Sequence, residues 1–205
     1  MIRSFAAPGL DTRDLAFDGK YLWNTDFNDD MIYQLDPFTG AIIRTLALTY
    51  FSSDGLIFDG KYLWSLSYTG SIIYQHDPFT GAVVWQFPTP GSPTDEPIGL
   101  TWDGKCLWHS DRASDNLFQI DPFTGDVIWF FAAPSTQPGG MAFDGKNLWV
   151  VDRDSNLIHC VDPATGAELT SFVRPGAVPR GLTFDGKYLW HSDDNTDLIY
   201  QISLE

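Results

Sequence analysis

The chain has 205 residues and carries 27 acidic side chains against 12 lysines and arginines, a formal charge of −15. That balance argues against nucleic acid and anionic membrane surfaces as partners, and no stretch approaches the ~20 apolar residues that span a bilayer. The length suits one domain, and Cys106 and Cys160 fall at unrelated positions, which implies no disulfide framework and fits a reducing compartment.

The chain opens on Ile2 to Phe5, a short strand. From there one unit recurs: a Gly-Leu-x-Phe run, an Asp-Gly turn, a Leu-Trp strand, a short polar hairpin, a third apolar strand, and an Asp-Pro-x-Thr-Gly turn leading to a fourth. The unit's tryptophan falls at Trp23, Trp64, Trp108, Trp149 and Trp190, in steps of 41, 44, 41 and 41 residues. A period near 41, rich in strand and turn signals, marks a propeller blade. The Asp-Gly pairs, from Asp18-Gly19 to Asp185-Gly186, are hairpin turns because glycine tolerates positive φ. In the Asp-Pro-x-Thr-Gly turns at Asp36, Asp77, Asp121 and Asp162, proline presets φ and the glycine reverses the chain. No window holds helical periodicity for three turns, so the chain is all-β.

The ends decide whether the array closes. Arg3 lies 20 residues before Trp23, the offset that also separates Arg44 from Trp64 and Thr170 from Trp190, so the first strand reads as the outer strand of a blade. Gly181 to Ser203 supplies the three inner strands of that blade and stops. The expectation is a closed five-bladed β-propeller, with blades at about 14–46, 55–87, 99–131, 140–172 and 181–203, the last completed by 2–5. Closure removes unpaired edges. The recurring tryptophans, with Phe17, Phe58, Trp102, Phe143 and Phe184, read as packing between blades. Trp85 and Trp129 stand on outer strands where other blades have Arg44 and Thr170, and read either as a peripheral contact patch or as scattered exposed aromatics.

Function is less legible. One face of the ring gathers the repeated turns and their lysines. The other gathers variable loops and 15 of the 27 acidic residues, Asp95 and Glu96 among them, and loops on a rigid scaffold are where binding residues concentrate. Asp26-x-Asn28-x-Asp30, Asp152-x-Asp154-x-Asn156 and Asp193-x-Asn195-x-Asp197 offer alternating oxygen ligands of the kind that begin calcium loops. They lack the later glycine and bidentate acid, and Asp and Asn also suit tight hairpins by bonding their own backbone. Calcium is the one candidate cofactor. Before the innermost strand of each blade stand Arg13, Asp54, Ile98, Gly139 and Arg180, with Asp14 where other blades have glycine. Closure places Arg13 beside Arg180, so this pair, with Asp14, Asp54 and Glu96, either clamps a carboxylate or phosphate at the channel mouth or forms an ion-pair belt around it.

Catalytic signals are weak. His109-Ser110-Asp111 and His191-Ser192-Asp193 alternate faces along a strand and cannot assemble a triad. Glutamates number three, Glu96, Glu168 and Glu205. No catalytic residue is named, and enzymatic activity stays open with the balance toward binding.

The run Leu148-Trp149-x-x-Asp152-x-x-x-Asn156-x-Ile158-x-x-x-Asp162-Pro163-x-Thr165-Gly166 resembles repeats of the NHL and virginiamycin B lyase-like propellers, and the five-bladed plan is similar to the glutamine cyclotransferase family. The resemblance spans the chain but rests on turn and packing residues. It implies lyase or glutaminyl cyclisation activity only as family expectations. The preferred reading is a monomeric binding or scaffolding propeller whose acidic face, with or without calcium, holds a small polar ligand or cationic protein partner. The alternatives are a small lyase or cyclotransferase-like enzyme at the channel mouth, and a repetitive or engineered propeller with no evolved ligand. The expected compartment is cytoplasmic, or secreted or periplasmic if a leader has been removed.

Overall fold

A computed structural model of the protein describes residues 1–49, 53–90 and 96–204, so Asp95 and Glu205 lie outside the described residues. These form twenty strands and no helix. The first, β1 (Arg3–Ala6), is followed by four sheets of consecutive strands: β2–β5 (Thr12–Phe17, Leu22–Asp26, Met31–Leu35, Ile42–Ala47) and β6–β9 (Ser53–Phe58, Leu63–Ser67, Ile72–His76, Val83–Pro88) come first. Then come β10–β13 (Pro97–Trp102, Leu107–Asp111, Asn116–Ile120, Val127–Ala132) and β14–β17 (Pro138–Phe143, Leu148–Asp152, Leu157–Val161, Glu168–Val173). The fifth sheet joins β18 (Pro179–Phe184), β19 (Tyr188–Asp193) and β20 (Leu198–Ser203) to β1 from the other end of the chain. All pairings are antiparallel, and β1 pairs with β20 in the register Arg3 to Gln201 through Ala6 to Leu198. The innermost strands β2, β6, β10, β14 and β18 neighbour one another in a closed cycle. The chain is a five-bladed β-propeller sealed by its own N-terminal strand.

Each interface between blades has its own apolar cluster. Trp23, Ile32 and Leu46 of blade 1 meet Leu56 and Leu63 of blade 2, and the other four interfaces repeat the plan. The five repeat tryptophans are buried, as core packing requires. Each indole Nε1 donates to the aspartate of its own Asp-Gly turn at 2.7–2.8 Å, which satisfies a polar group the core would otherwise strand. The same aspartate accepts two amides of the turn, as Asp18 does from Lys20 and Tyr21, and the following glycine sits at φ near +92 to +98°. One residue therefore fixes turn, strand pairing and indole orientation. No helix among the described residues is long and apolar enough to cross a membrane.

Candidate functional site at the channel mouth

The first two strands of every blade pair with a register shift at their channel end, between Thr12 and Leu15, Ser53 and Leu56, Pro97 and Leu100, Pro138 and Met141, and Pro179 and Leu182. A bulge leaves residues free to be re-aimed out of the ladder, and here it delivers Arg13, Asp54, Ile98, Gly139 and Arg180 to the mouth. The residue behind each is glycine in four blades because the inner strands nearly touch. A Cβ on Gly181 would lie 2.5 Å from the Asp14 Cα, and one on Gly140 would lie 2.6 Å from the Gly181 Cα.

The fifth of these positions is Asp14, and its carboxylate does not face the mouth. It is buried on the axis, where Oδ1 accepts from the amides of Leu15 (2.8 Å) and Leu182 (3.0 Å) and Oδ2 from Leu56 (2.9 Å). Burial pushes this carboxyl well up while the amides pull it down. Asp14 thus ties blades 5, 1 and 2 together at the axis, a role a single blade could not reveal.

The other mouth residues predicted from sequence do come together. Arg13 pairs with Asp11 at 2.7 Å and with Asp54 at 3.5 Å, and its guanidinium lies 4.3 Å over the Phe27 ring. Arg180 pairs with Asp194 at 2.6 Å, and Glu96 is held by Arg112 at 2.7 Å. Burial pushes the Asp54 carboxyl up to about 6 against the pull of Arg13, Arg180 and Arg112. Asp11 is raised by its own burial, with Arg13 pulling down and Asp194 pushing up. Arg13 and Arg180 are therefore neighbours in one electrostatic ring, each already supplied with its own carboxylate.

A second set of mouth residues was missed by the sequence reading. The position after the last residue of the second strand carries Phe27, Tyr68, Arg112, Arg153 and Asp194, and among the described residues the backbone N–H of Phe27, Arg112, Arg153 and Asp194 bonds the preceding inter-blade loop. Aligning that position across the five repeats would have exposed it. Arg153 stands out there. It is half-buried, and its charge is disfavoured first by burial and then by the guanidiniums of Arg180, Arg112 and Arg13. Three of these four arginines have ion pairs to described carboxylates; Arg153 has none within 4 Å. It lines a polar cavity of about 520 Å³ with Glu96, Arg112, Gln137 and Asp154. Gln137 holds a left-handed φ of +67° there, a conformation that costs a non-glycine residue energy.

The acidic hairpins use their aspartates to hold their own backbone. Asp26, Asp152 and Asp193 are buried, and Oδ1 of each accepts amides of its own hairpin. Oδ2 of Asp26 and of Asp193 reaches back to the inter-blade loop, to Asp11 N (3.0 Å) and Val178 N (2.6 Å). Asp30, Asn156 and Asp197 close the hairpins at φ of +51 to +62°, while Asn28, Asp154 and Asn195 are exposed. Among the described residues no three His, Cys, Asp or Glu side chains converge to hold a metal ion. His109 and His191 are buried and neutral, their pKa lowered to about 4 by burial. Ser110 donates to Gly139 O at 2.7 Å, away from its neighbouring histidine.

Comparison with known proteins agrees with this architecture. Residues 68–197, 130 of 205, match the family described as outer membrane protein assembly factor BamB. No curated protein matches the sequence. Among solved structures, a Myxococcus xanthus glutaminyl cyclase superposes with a TM-score of 0.83 at 16% identity, over 98% of this chain and 94% of that one. Virginiamycin B lyase from Staphylococcus aureus gives 0.59 at 20% identity, over 98% and 69%. The β-propeller domain of Swd1 from Myceliophteria thermophila gives 0.63 at 11%, over the whole of both chains. At these identities the likeness is one of fold.

Proposed function

The chain belongs to the family of the outer membrane protein assembly factor BamB, and from that premise we propose that it is a binding propeller whose channel mouth takes a small ligand bearing a carboxylate or comparable anion. The observation that carries this reading is Arg153, the guanidinium at the mouth with no carboxylate partner among the described residues. A half-buried cation repelled by three neighbours is stabilised by any anion that can reach it, and a guanidinium presents two parallel donors to a carboxylate. Asp154, which lines the same cavity, offers an acceptor to a donor-bearing end of the same ligand. The family's name is that of an assembly factor, which favours holding over turnover. The one glutamate on this face, Glu96, is engaged by Arg112, which leaves no free glutamate there for acid–base chemistry among the described residues.

Calorimetric titration of malonate and inorganic phosphate into the wild type and Arg153→Gln tests the reading. Saturable binding should weaken about tenfold or more in the variant, the loss of one charge-assisted pair. Equal binding by both proteins would overturn it. Affinity should also rise as pH falls through about 6, because protonating Asp54 leaves the mouth one positive charge richer.

A further inference from the structure

Away from the mouth, the outer edges of the blades form a set of grooves that are not equivalent. Between blades 5 and 1, Arg3 lies between two rings, its guanidinium carbon 5.4 Å from the Trp190 ring and 4.9 Å from that of Phe38. Its Nε donates to Gln201 Oε1 at 2.9 Å. Arg44 repeats the arrangement between blades 1 and 2. It lies 4.9 Å over Trp23 and 5.7 Å from the Phe79 ring, and donates to Gln34 Oε1 (3.0 Å), Pro78 O (2.6 Å) and Phe79 O (3.3 Å). The fold therefore carries, twice, a slot made of a blade tryptophan, a glutamine, and the proline and phenylalanine of the next Asp-Pro-Phe turn, and each slot is occupied by an arginine of the chain itself.

Between blades 2 and 3 every part of the slot recurs except its occupant. Trp64, Gln75, Pro122 and Phe123 line a groove of about 640 Å³, and the residue in register with Gln75 is Trp85. In the occupied slots the register partner of the glutamine is the arginine. The carbonyls of Pro122 and Phe123 accept no hydrogen bond from any described residue, and Phe123 is 83% exposed. Trp85, 47% exposed, adds a third aromatic wall. The groove between blades 3 and 4 has Trp129 in register with Gln119 but Ala164 in place of the phenylalanine, so it lacks the upper ring.

We propose that the groove between blades 2 and 3 binds an arginine side chain of a partner chain, seated as Arg44 is seated one blade earlier. A guanidinium there would meet the faces of Trp64 and Phe123, a contact that grows stronger as water is excluded, and would donate to two waiting carbonyls. The net charge of −15 draws cationic segments toward the protein at long range. Lys61 at the rim does not bar the site. Its ammonium is drawn 4.6 Å over the Tyr62 ring, as that of Lys187 is over Tyr188 beside the slot that already holds Arg3.

The test uses N-acetyl-arginine amide as probe and the citrulline counterpart, isosteric but uncharged, as control. Indole N–H resonances of Trp64 and Trp85 report on the groove and not on the acidic face. The arginine probe should shift both resonances saturably, on the order of millimolar for one side chain, and citrulline should not. Trp85→Arg supplies the internal occupant that blades 1 and 5 have, so it should fold normally and weaken the probe at least tenfold. Phe123→Ala, which copies Ala164 of blade 4, should weaken it several-fold without disturbing the fold. Equal response to citrulline, or unchanged binding in both folded variants, would overturn the proposal.

Discussion

On one face of the ring, Asp18, Asp59, Asp103, Asp144 and Asp185 each accept two turn amides and one indole, with distances that barely differ between blades. On the other face, the position after each second strand carries phenylalanine, tyrosine, arginine, arginine and aspartate in turn. The first face repeats because it solves a problem every blade shares, the satisfaction of a buried tryptophan and its hairpin. The second varies because nothing in blade packing dictates it. Repetition marks structure here, and departure from repetition marks the candidate sites: Arg153 at the mouth and Trp85 at the rim.

Substitutions can break that division. The largest effect is expected at Asp14, the one departure that proved structural. Asp14→Ala strands three buried amides, at about 1–3 kcal/mol each, so urea unfolding should show a loss of about 4 kcal/mol or more. A loss below 1 kcal/mol would mean that the axial carboxylate is dispensable.

Next comes Asp54. Its folded pKa of about 6 lies above the value near 3.9 expected of an unfolded aspartate, so the folded state binds this proton more tightly. The stabilisation is full below pH 4 and is lost as pH rises through 6. Relative to Asp54→Asn, the wild type should therefore lose about 3 kcal/mol between pH 4 and pH 7.5. Parallel stability curves for the two proteins would contradict the buried, weakly paired carboxyl.

A smaller and deliberately uniform effect is expected on the repeated face. Asp18→Ala, Asp59→Ala, Asp103→Ala and Asp144→Ala should each destabilise by about 2 kcal/mol, in line with their matched hydrogen bonds, and a blade-specific spread would break the comparison. Smallest of all is the response to calcium. Because the leading aspartates of the hairpins are occupied by backbone amides, millimolar calcium or EDTA should leave the melting temperature unchanged. A calcium-specific rise would return these loops to metal binding.

How much of this could be read from the sequence follows the same division. The Asp-Gly and Asp-Pro-x-Thr-Gly turns are local chemistry, and the offset of Arg3 from Trp23 was enough to anticipate the pairing of β1 with β20. Asp14 could not be read correctly because its amide partners Leu56 and Leu182 are 42 and 168 residues away and meet it only on closure. The acidic hairpins resemble calcium loops because backbone capping and metal ligation both favour Asp and Asn at alternate positions, and the left-handed Asp30, Asn156 and Asp197 show the hairpin geometry that the sequence pattern also serves. Arg153 was hidden for a different reason. Its significance lies in having no carboxylate partner among the described residues, which depends on where Asp11, Asp54, Asp194 and Glu96 are engaged.

The central claim is that, among the described residues, the mouth has one guanidinium without a carboxylate of its own. Crystals soaked in bromide test it most directly, because anomalous scattering locates each bound anion. The account predicts a bromide peak within hydrogen-bonding distance of Arg153 and none at Arg13, Arg112 or Arg180, whose carboxylates already hold them. No peak at Arg153, or a peak at a paired arginine instead, would contradict it.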